Sequence, residues 1–177
     1  MKANIPNYFT IHGLWPQSCA EKPADHFKRS SIDTLQDGFN YYRSSLKSEK
    51  TNMELWIEKW EKHGTCSLKK FNQSEYFKQA IFITEFLDIL VVFKNVGIIP
   101  HRTKTYSRID IVNAIKKTKT HQVEPELICF QDRSEVLLRE IRVYLDANLA
   151  EYISCPVNRS KGVILCKTKS NAIKIPV

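Results

Sequence analysis

Apolar and polar positions alternate in the first part of the chain as they do in a half-buried strand. Residues 8–15 read YFTIHGLW, with Ile11 and His12 on opposite sides of the pattern, and Pro16 ends it. We therefore predict a strand over residues 8–15. From Ser31 onward, apolar residues recur at steps of three and four, which predicts an amphipathic helix. They are Ile32, Leu35, Phe39, Tyr42 and Leu46.

A second helix is predicted over residues 55–63. Trp56 and Trp60 lie four positions apart, which places them on one face of a helix. Gly64 is a typical helix stop, so His63 is predicted to be the last residue before it.

Two more helices follow, each after a polar residue that can cap it. Asn72 or Ser74 can cap a helix that continues to Phe93, and Ser107 can cap a shorter one. Gly97 separates the two.

The chain changes character after Pro125, where short β-branched or alternating segments predict strands. They are Leu127 to Phe130, Val136 to Leu145, Val163 to Cys166 and Ala172 to Val177. Helices in the middle with strands at both ends predict an α+β fold, with a mostly antiparallel sheet packed against several helices. No repeat or linker appears, so we expect a single domain over 1–177.

The chain is basic, and its cysteines favour an oxidising compartment. Lysine and arginine total 27 against 19 acidic residues, a net charge of +8, which attracts polyanions but is also common as a solubility feature. The five cysteines lack paired C-x-x-C spacing, so disulfides are favoured over zinc. Five is odd, so at least one thiol is unpaired or bonded to another chain.

Two sequons, at Asn72 and Asn158, are typical of a secreted glycoprotein. The first residues, MKANIPNYFTIHG, lack a signal-peptide core, and no run is long enough to span a membrane. Either an export signal has been removed, or the protein stays inside the cell with reduced cysteines.

Two histidines and a lysine form a set that can cleave RNA without a metal. The reaction needs a base for the 2′-hydroxyl, an acid for the departing 5′-oxygen and a cation for the phosphorane charge. His12, His63 and Lys62 supply these groups. The alternatives are a hydrogen-bonded core histidine at position 12 and a helix-end cation at position 63. A zinc site using Cys66 lacks a fourth ligand.

The strings FTIHGLWPQ and KHGTC resemble the two active-site segments of the ribonuclease T2 family, which includes the plant S-RNases. Further similar stretches are FNQSEYFKQAI, NVGIIP, NAIKK, PELIC and LLREI. The resemblance implies cleavage of single-stranded RNA through a 2′,3′-cyclic phosphate, with no cofactor. It also implies that His63 is the general base, that His12 protonates the leaving group and that Lys62 stabilises the phosphorane.

The resemblance also implies a base-binding surface at Trp15, Leu46 and Leu55. From the sequence alone, an apolar residue at any of these positions is more often core.

The chain departs from the usual family pattern in its second histidine segment, where a histidine and a glutamate normally precede the tryptophan. Here Glu58 occupies the histidine position of the catalytic site, a replacement that plant members tolerate, and Lys59 occupies the acid position. Lys59 precedes His63 by four residues, so its ammonium is expected to lower the pKa of the base and to contact the substrate phosphate. We therefore expect reduced activity.

The resemblance further implies two disulfides, Cys19–Cys66 and Cys129–Cys166. The family partner of Cys155 falls at Val143, Tyr144 and Leu145, so Cys155 is expected to be a free thiol. The alternative bonds Cys155 to Cys166 and leaves Cys129 free.

Family members carry one more strand before the IPNYFTIHGLWP segment, so we expect the sheet to lack its first strand. An S-RNase-like member is expected to be a secreted monomer, and a true S-RNase is expected to act in self-incompatibility with an F-box-type protein partner. The rival hypothesis is a catalytically inactive relative that binds RNA or a protein. An unrelated polysaccharide-binding module would leave both histidine segments unexplained.

Overall fold

The computed structural model describes residues 8–16, 23–35, 37, 38, 41, 50–155, 166 and 172–176. The chain comprises two compact units, Met1–Asp88 and Ile89–Val177, which are described separately. The assignment of 1–177 to a single domain stays a prediction.

Helix α1, Asn52–Lys62, lies in the first unit and has clear signals at both ends. Thr51 and Glu54 form a capping box, in which the side chain of each accepts a hydrogen bond from the backbone N–H of the other. The helix ends at His63, as the sequence predicted, and the 3-10 helix Gly64–Ser67 follows directly.

Helix α2, Gln73–Leu87, begins at Asn72, as predicted. It does not continue to Phe93. Asp88 adopts a left-handed conformation, with φ of 33°, and this ends the helix. A separate helix α3, Ile89–Asn95, follows in the second unit.

The helix predicted from Ser31 begins as a 3-10 helix, Arg29–Leu35, with Ile32 fully buried. Residues 37, 38 and 41 are helical. Phe39, Tyr42 and Leu46 lie outside the described residues.

The strand predicted over residues 8–15 is wrong, because no hydrogen-bonded ladder joins this segment to any other described residue. Alternation reports which side chains face the core, and Ile11 is indeed buried. A strand also needs a partner backbone. A hydrogen bond from the Tyr76 side chain to the backbone of Leu14 holds the segment instead.

The core of the first unit is aromatic. Trp60, Tyr76 and Phe77 are fully buried. The rings of Trp60 and Tyr76 meet edge to face with centroids 5.6 Å apart, which joins α1 to α2.

The second unit contains the sheets. Helix α4, Arg108–Thr118, begins at Ser107, as predicted. β1 (Glu126–Asp132) pairs antiparallel with β2 (Glu135–Arg142), and β2 pairs parallel with β5 (Ile173–Lys174). A second small sheet pairs β3 (Tyr144–Leu145) antiparallel with β4 (Tyr152–Ile153). The predicted strand Val136 to Leu145 is therefore divided between β2 and β3, and β4 was not predicted. Residues 163–165 of the predicted strand lie outside the described residues.

One of the two disulfides implied by the resemblance is present in the described residues. Cys129 and Cys166 form a disulfide, and Cys155 is not in one, so the alternative Cys155–Cys166 pairing is wrong. Cys66 is also disulfide-bonded. Its expected partner, Cys19, lies outside the described residues.

Candidate active site

One indole contacts both histidines of the predicted pair. The ring centroid of Trp15 lies 5.1 Å from that of His12 and 5.3 Å from that of His63. His12 is exposed and His63 is half-buried. The structure therefore brings the two imidazoles to one side chain, within reach of solvent.

Gly13 allows the chain to fold this closely. A Cβ at this position would lie 2.6 Å from Nε1 of Trp15, a distance that real Cβ atoms do not show. The same point lies 3.6 Å from Cδ of Lys59. Any larger residue would push the indole away, so the glycine after His12 sets the position of Trp15.

Tyr76 of α2 fixes the backbone of this segment. Its hydroxyl donates a 2.6 Å hydrogen bond to the carbonyl oxygen of Leu14. Tyr76 is itself fully buried against Trp60. The aromatic core therefore anchors the segment that carries His12, a role of Tyr76 that the sequence did not predict.

His63 is held by the backbone at the end of α1. Its N–H donates to the carbonyl of Lys59 at 3.0 Å, and its carbonyl accepts from Cys66 at 3.2 Å. A Cβ on the next residue, Gly64, would overlap the Trp60 indole. Both histidines thus precede a glycine that packs directly against a tryptophan.

Lys59 lies beside this arrangement and is only 7% exposed. The lysine that replaces the usual family acid is therefore an interior side chain close to Gly13 rather than a solvated surface charge.

Glu58 and Lys62 form an ion pair one helical turn apart, with Nζ of Lys62 2.7 Å from Oε1 of Glu58. The other oxygen of Glu58 accepts a hydrogen bond from Lys50. The bonds from Lys50 and then Lys62 lower the pKa of the Glu58 carboxyl to about 2. Glu58 is thus a carboxylate throughout the neutral range and not a proton donor there.

The remaining predicted site residues are less informative. Leu55 is half-buried and packs against the aromatic core, which agrees with the core alternative. Asn72 is exposed, and its side-chain oxygen caps α2 by accepting from the N–H of Glu75. Leu46 and Asn158 lie outside the described residues.

The part of the chain that the structure describes contains neither a metal-binding cluster nor a membrane-spanning helix. No cluster of three or more histidine, cysteine, aspartate or glutamate side chains there is placed to hold a metal ion. No helix in the same part of the chain is long and apolar enough to cross a bilayer.

Residues 1–155 match the family model of the Ribonuclease T2 family. The chain belongs to this family. It is 34% identical to Ribonuclease S-7 of Nicotiana alata over 97% of this chain and 79% of the relative. It is 32% identical to Ribonuclease S-2 of Solanum tuberosum over 88% of this chain and 73% of the relative. The chain is a T2-type endoribonuclease with S-RNase-like relatives.

Solved structures agree with the family and confirm the α+β fold. Ribonuclease MC1 from bitter gourd seeds is 30% identical with a TM-score of 0.76, over 84% of this chain and 80% of that one. Japanese pear S3-RNase is 25% identical with a TM-score of 0.80, over 97% and 88%. Two variants of ribonuclease MC1 were solved in complex with 5′-GMP and 5′-UMP.

Proposed function

We propose that this chain cleaves single-stranded RNA by metal-independent transesterification, with His63 as the general base and His12 as the general acid. The observation that carries the proposal is the contact of Trp15 with both rings, at 5.1 and 5.3 Å. Two accessible imidazoles held by one indole are suited to move a proton on each side of a phosphodiester.

In the proposed reaction, His63 removes the proton of the 2′-hydroxyl, whose oxygen attacks the neighbouring phosphorus. The bond to the 5′-oxygen then breaks, and His12 gives that oxygen a proton. The products are a 2′,3′-cyclic phosphate and a 5′-hydroxyl end. Lys62 stabilises the negative charge of the phosphorane, because a nearby cation is worth most where charge develops.

Trp15 is proposed to position the two histidine rings as well as to bind a nucleobase of the RNA. Its indole packs on the His12 and His63 rings, so only the remaining ring surface is left for a nucleobase. Lys59 is proposed to contact the substrate phosphate and to make His63 a weaker general base. Because Lys59 is nearly buried, its charge is poorly screened by water, which supports the expectation of reduced activity.

An inactive relative is the second candidate function. Lys59 favours it, and so does a 30% identical relative named Ribonuclease-like storage protein, from Panax ginseng. On this hypothesis the basic chain binds RNA or a protein partner without cleaving.

The biological setting is also a proposal. The S-RNase relatives and the disulfides support secretion. We also propose glycans at Asn72 and Asn158 and a monomeric state. A role in self-incompatibility, with an F-box-type protein as partner, is proposed on the likeness to Ribonuclease S-7.

The test is incubation with single-stranded RNA in EDTA, followed by analysis of the ends produced. We expect 2′,3′-cyclic phosphate ends, and a fall in rate of about 10² to 10⁴ in His63→Ala or His12→Ala. His26→Ala is the matched control, since His26 is an exposed histidine of the same unit. A rate unchanged by both active-site substitutions contradicts the proposed mechanism, and an absence of any cleavage favours the inactive relative.

A further inference from the structure

Glu58 lies between two lysines that come from different parts of the first unit. Lys62 lies one turn further along α1 and contacts Oε1, whereas Lys50 precedes the helix and contacts Oε2. The Glu58 side chain is 23% exposed, and those of Lys50 and Lys62 are 37% and 60% exposed. All three charges therefore lie at the surface of the first unit, and Lys62 directly precedes His63 in the chain.

This arrangement poses a problem of charge. A carboxylate bonded to Lys62 cancels much of the positive charge that the phosphorane requires, since the two charges are less than 3 Å apart. The low pKa of Glu58 means that protonation does not relieve the problem at neutral pH. A second cation on the same carboxylate does relieve it.

We propose that Lys50 is a positioning residue of the active site, which binds and neutralises Glu58 so that the charge of Lys62 remains available to the RNA phosphate. Three groups of charge −1, +1 and +1 leave a net charge of +1 on this flank of α1. This inference rests on the proposed role of Lys62. Lys50 acts through Glu58, and Glu58 acts through Lys62.

The fold holds Lys50 where this role requires it. Lys50 directly precedes Thr51, whose backbone and side chain are both fixed by the capping box with Glu54. Lys50 and Glu58 are eight residues apart, beyond the three- and four-residue spacings at which helix side chains pair. The start of α1 therefore brings a loop lysine onto the helix.

A double-mutant cycle tests the inference. In Lys50→Met, Glu58 pairs with Lys62 alone, and we expect kcat to fall about tenfold with little change in KM. Glu58→Gln removes the competing carboxylate and is the reference background, so its own kcat sets the level for comparison. In Lys50→Met combined with Glu58→Gln, we expect kcat to recover to the same level, which is the signature of compensation.

Controls separate this effect from others. Lys50→Arg keeps the cation and is expected to keep the activity, and Lys78→Met removes one exposed lysine of α2 without touching the site. Thermal melting establishes that each variant is folded. Affinity for a single-stranded DNA oligonucleotide, which lacks the attacking 2′-hydroxyl, separates binding from catalysis.

Three results overturn the inference. The first is an unchanged kcat in Lys50→Met, and the second is no recovery of kcat in the double variant. The third is a loss of DNA affinity alone in Lys50→Met that Glu58→Gln does not restore. That result would mark Lys50 as an ordinary phosphate contact. The failure of the proposed function is recognised separately, since the wild type then does not cleave RNA or does not depend on His63.

Discussion

At the scale of single residues, Lys59 places a positively charged side chain at a nearly buried position. It lies one helical turn before His63, is 7% exposed and has its aliphatic chain beside Gly13. The usual family acid at this position can accept hydrogen bonds, whereas an ammonium can only donate them. In this chain a cationic side chain therefore occupies a nearly buried position one helical turn before the proposed general base.

We predict that Lys59→Glu raises the turnover of RNA by about tenfold, because a carboxylate favours the protonated form of His63 and raises its pKa. The measurement is kcat against pH, and the acidic limb of the profile is expected to move to higher pH. Lys59→Met removes the charge without adding an acceptor and is expected to give a smaller gain. A Lys59→Glu variant that melts like the wild type without a faster turnover contradicts this prediction.

At the scale of elements, the end of α1 depends on one glycine. Gly64 is buried, and a Cβ there would overlap the ring of Trp60, which is itself fully buried. The helix stop after His63 therefore also serves as a packing contact with the aromatic core. A larger residue would displace either the indole or the turn that carries His63.

We predict that Gly64→Ala destabilises the protein by about 2–3 kcal/mol through overpacking, and lowers Tm by about 5–10 °C. Gly38→Ala is the matched control, because its Cβ would lie 3.2 Å from the flexible end of Ile81 in a helical segment. We expect that change to be within about 1 kcal/mol of neutral. Calorimetry on both variants is the measurement, and equal melting temperatures would contradict the role of Gly64.

At the scale of the whole molecule, each of the two units contains disulfide-bonded cysteine. Cys129 and Cys166 are 37 residues apart in the second unit, and Cys66 is disulfide-bonded in the first. Cys155 lies outside this scheme, with its thiol directed to Glu126. Tyr144 also donates to Glu126, at the place where the family resemblance puts a partner cysteine.

We predict one titratable thiol per chain in unreduced, unfolded protein, and its loss in Cys155→Ser. Replacing both Cys129 and Cys166 by serine is expected to cost about 4 kcal/mol, because a loop of this length regains its freedom in the unfolded state. Thiol titration and denaturant melts are the measurements. Three titratable thiols would show that one of the two bonds does not form in solution.

The sequence by itself determined the local features of this protein. The ends of α1, α2 and α4 follow from Gly64, Asn72 and Ser107, because caps and stops act through neighbouring backbone groups. The two histidine strings indicated the family, since they are short and unbroken. Cysteine pairing followed from the resemblance rather than from spacing, and it was confirmed for Cys129–Cys166.

The tertiary structure decided everything that depends on a distant partner. Alternation over residues 8–15 gave the correct buried residue, Ile11, but not a strand, because a strand exists only with a neighbouring backbone. The break at Asp88 depends on one backbone angle within an apolar run. The placement of Trp15 against both histidines, and of Lys50 against Glu58, joins residues whose spacing carries no signal. Such contacts arise only when the core has packed.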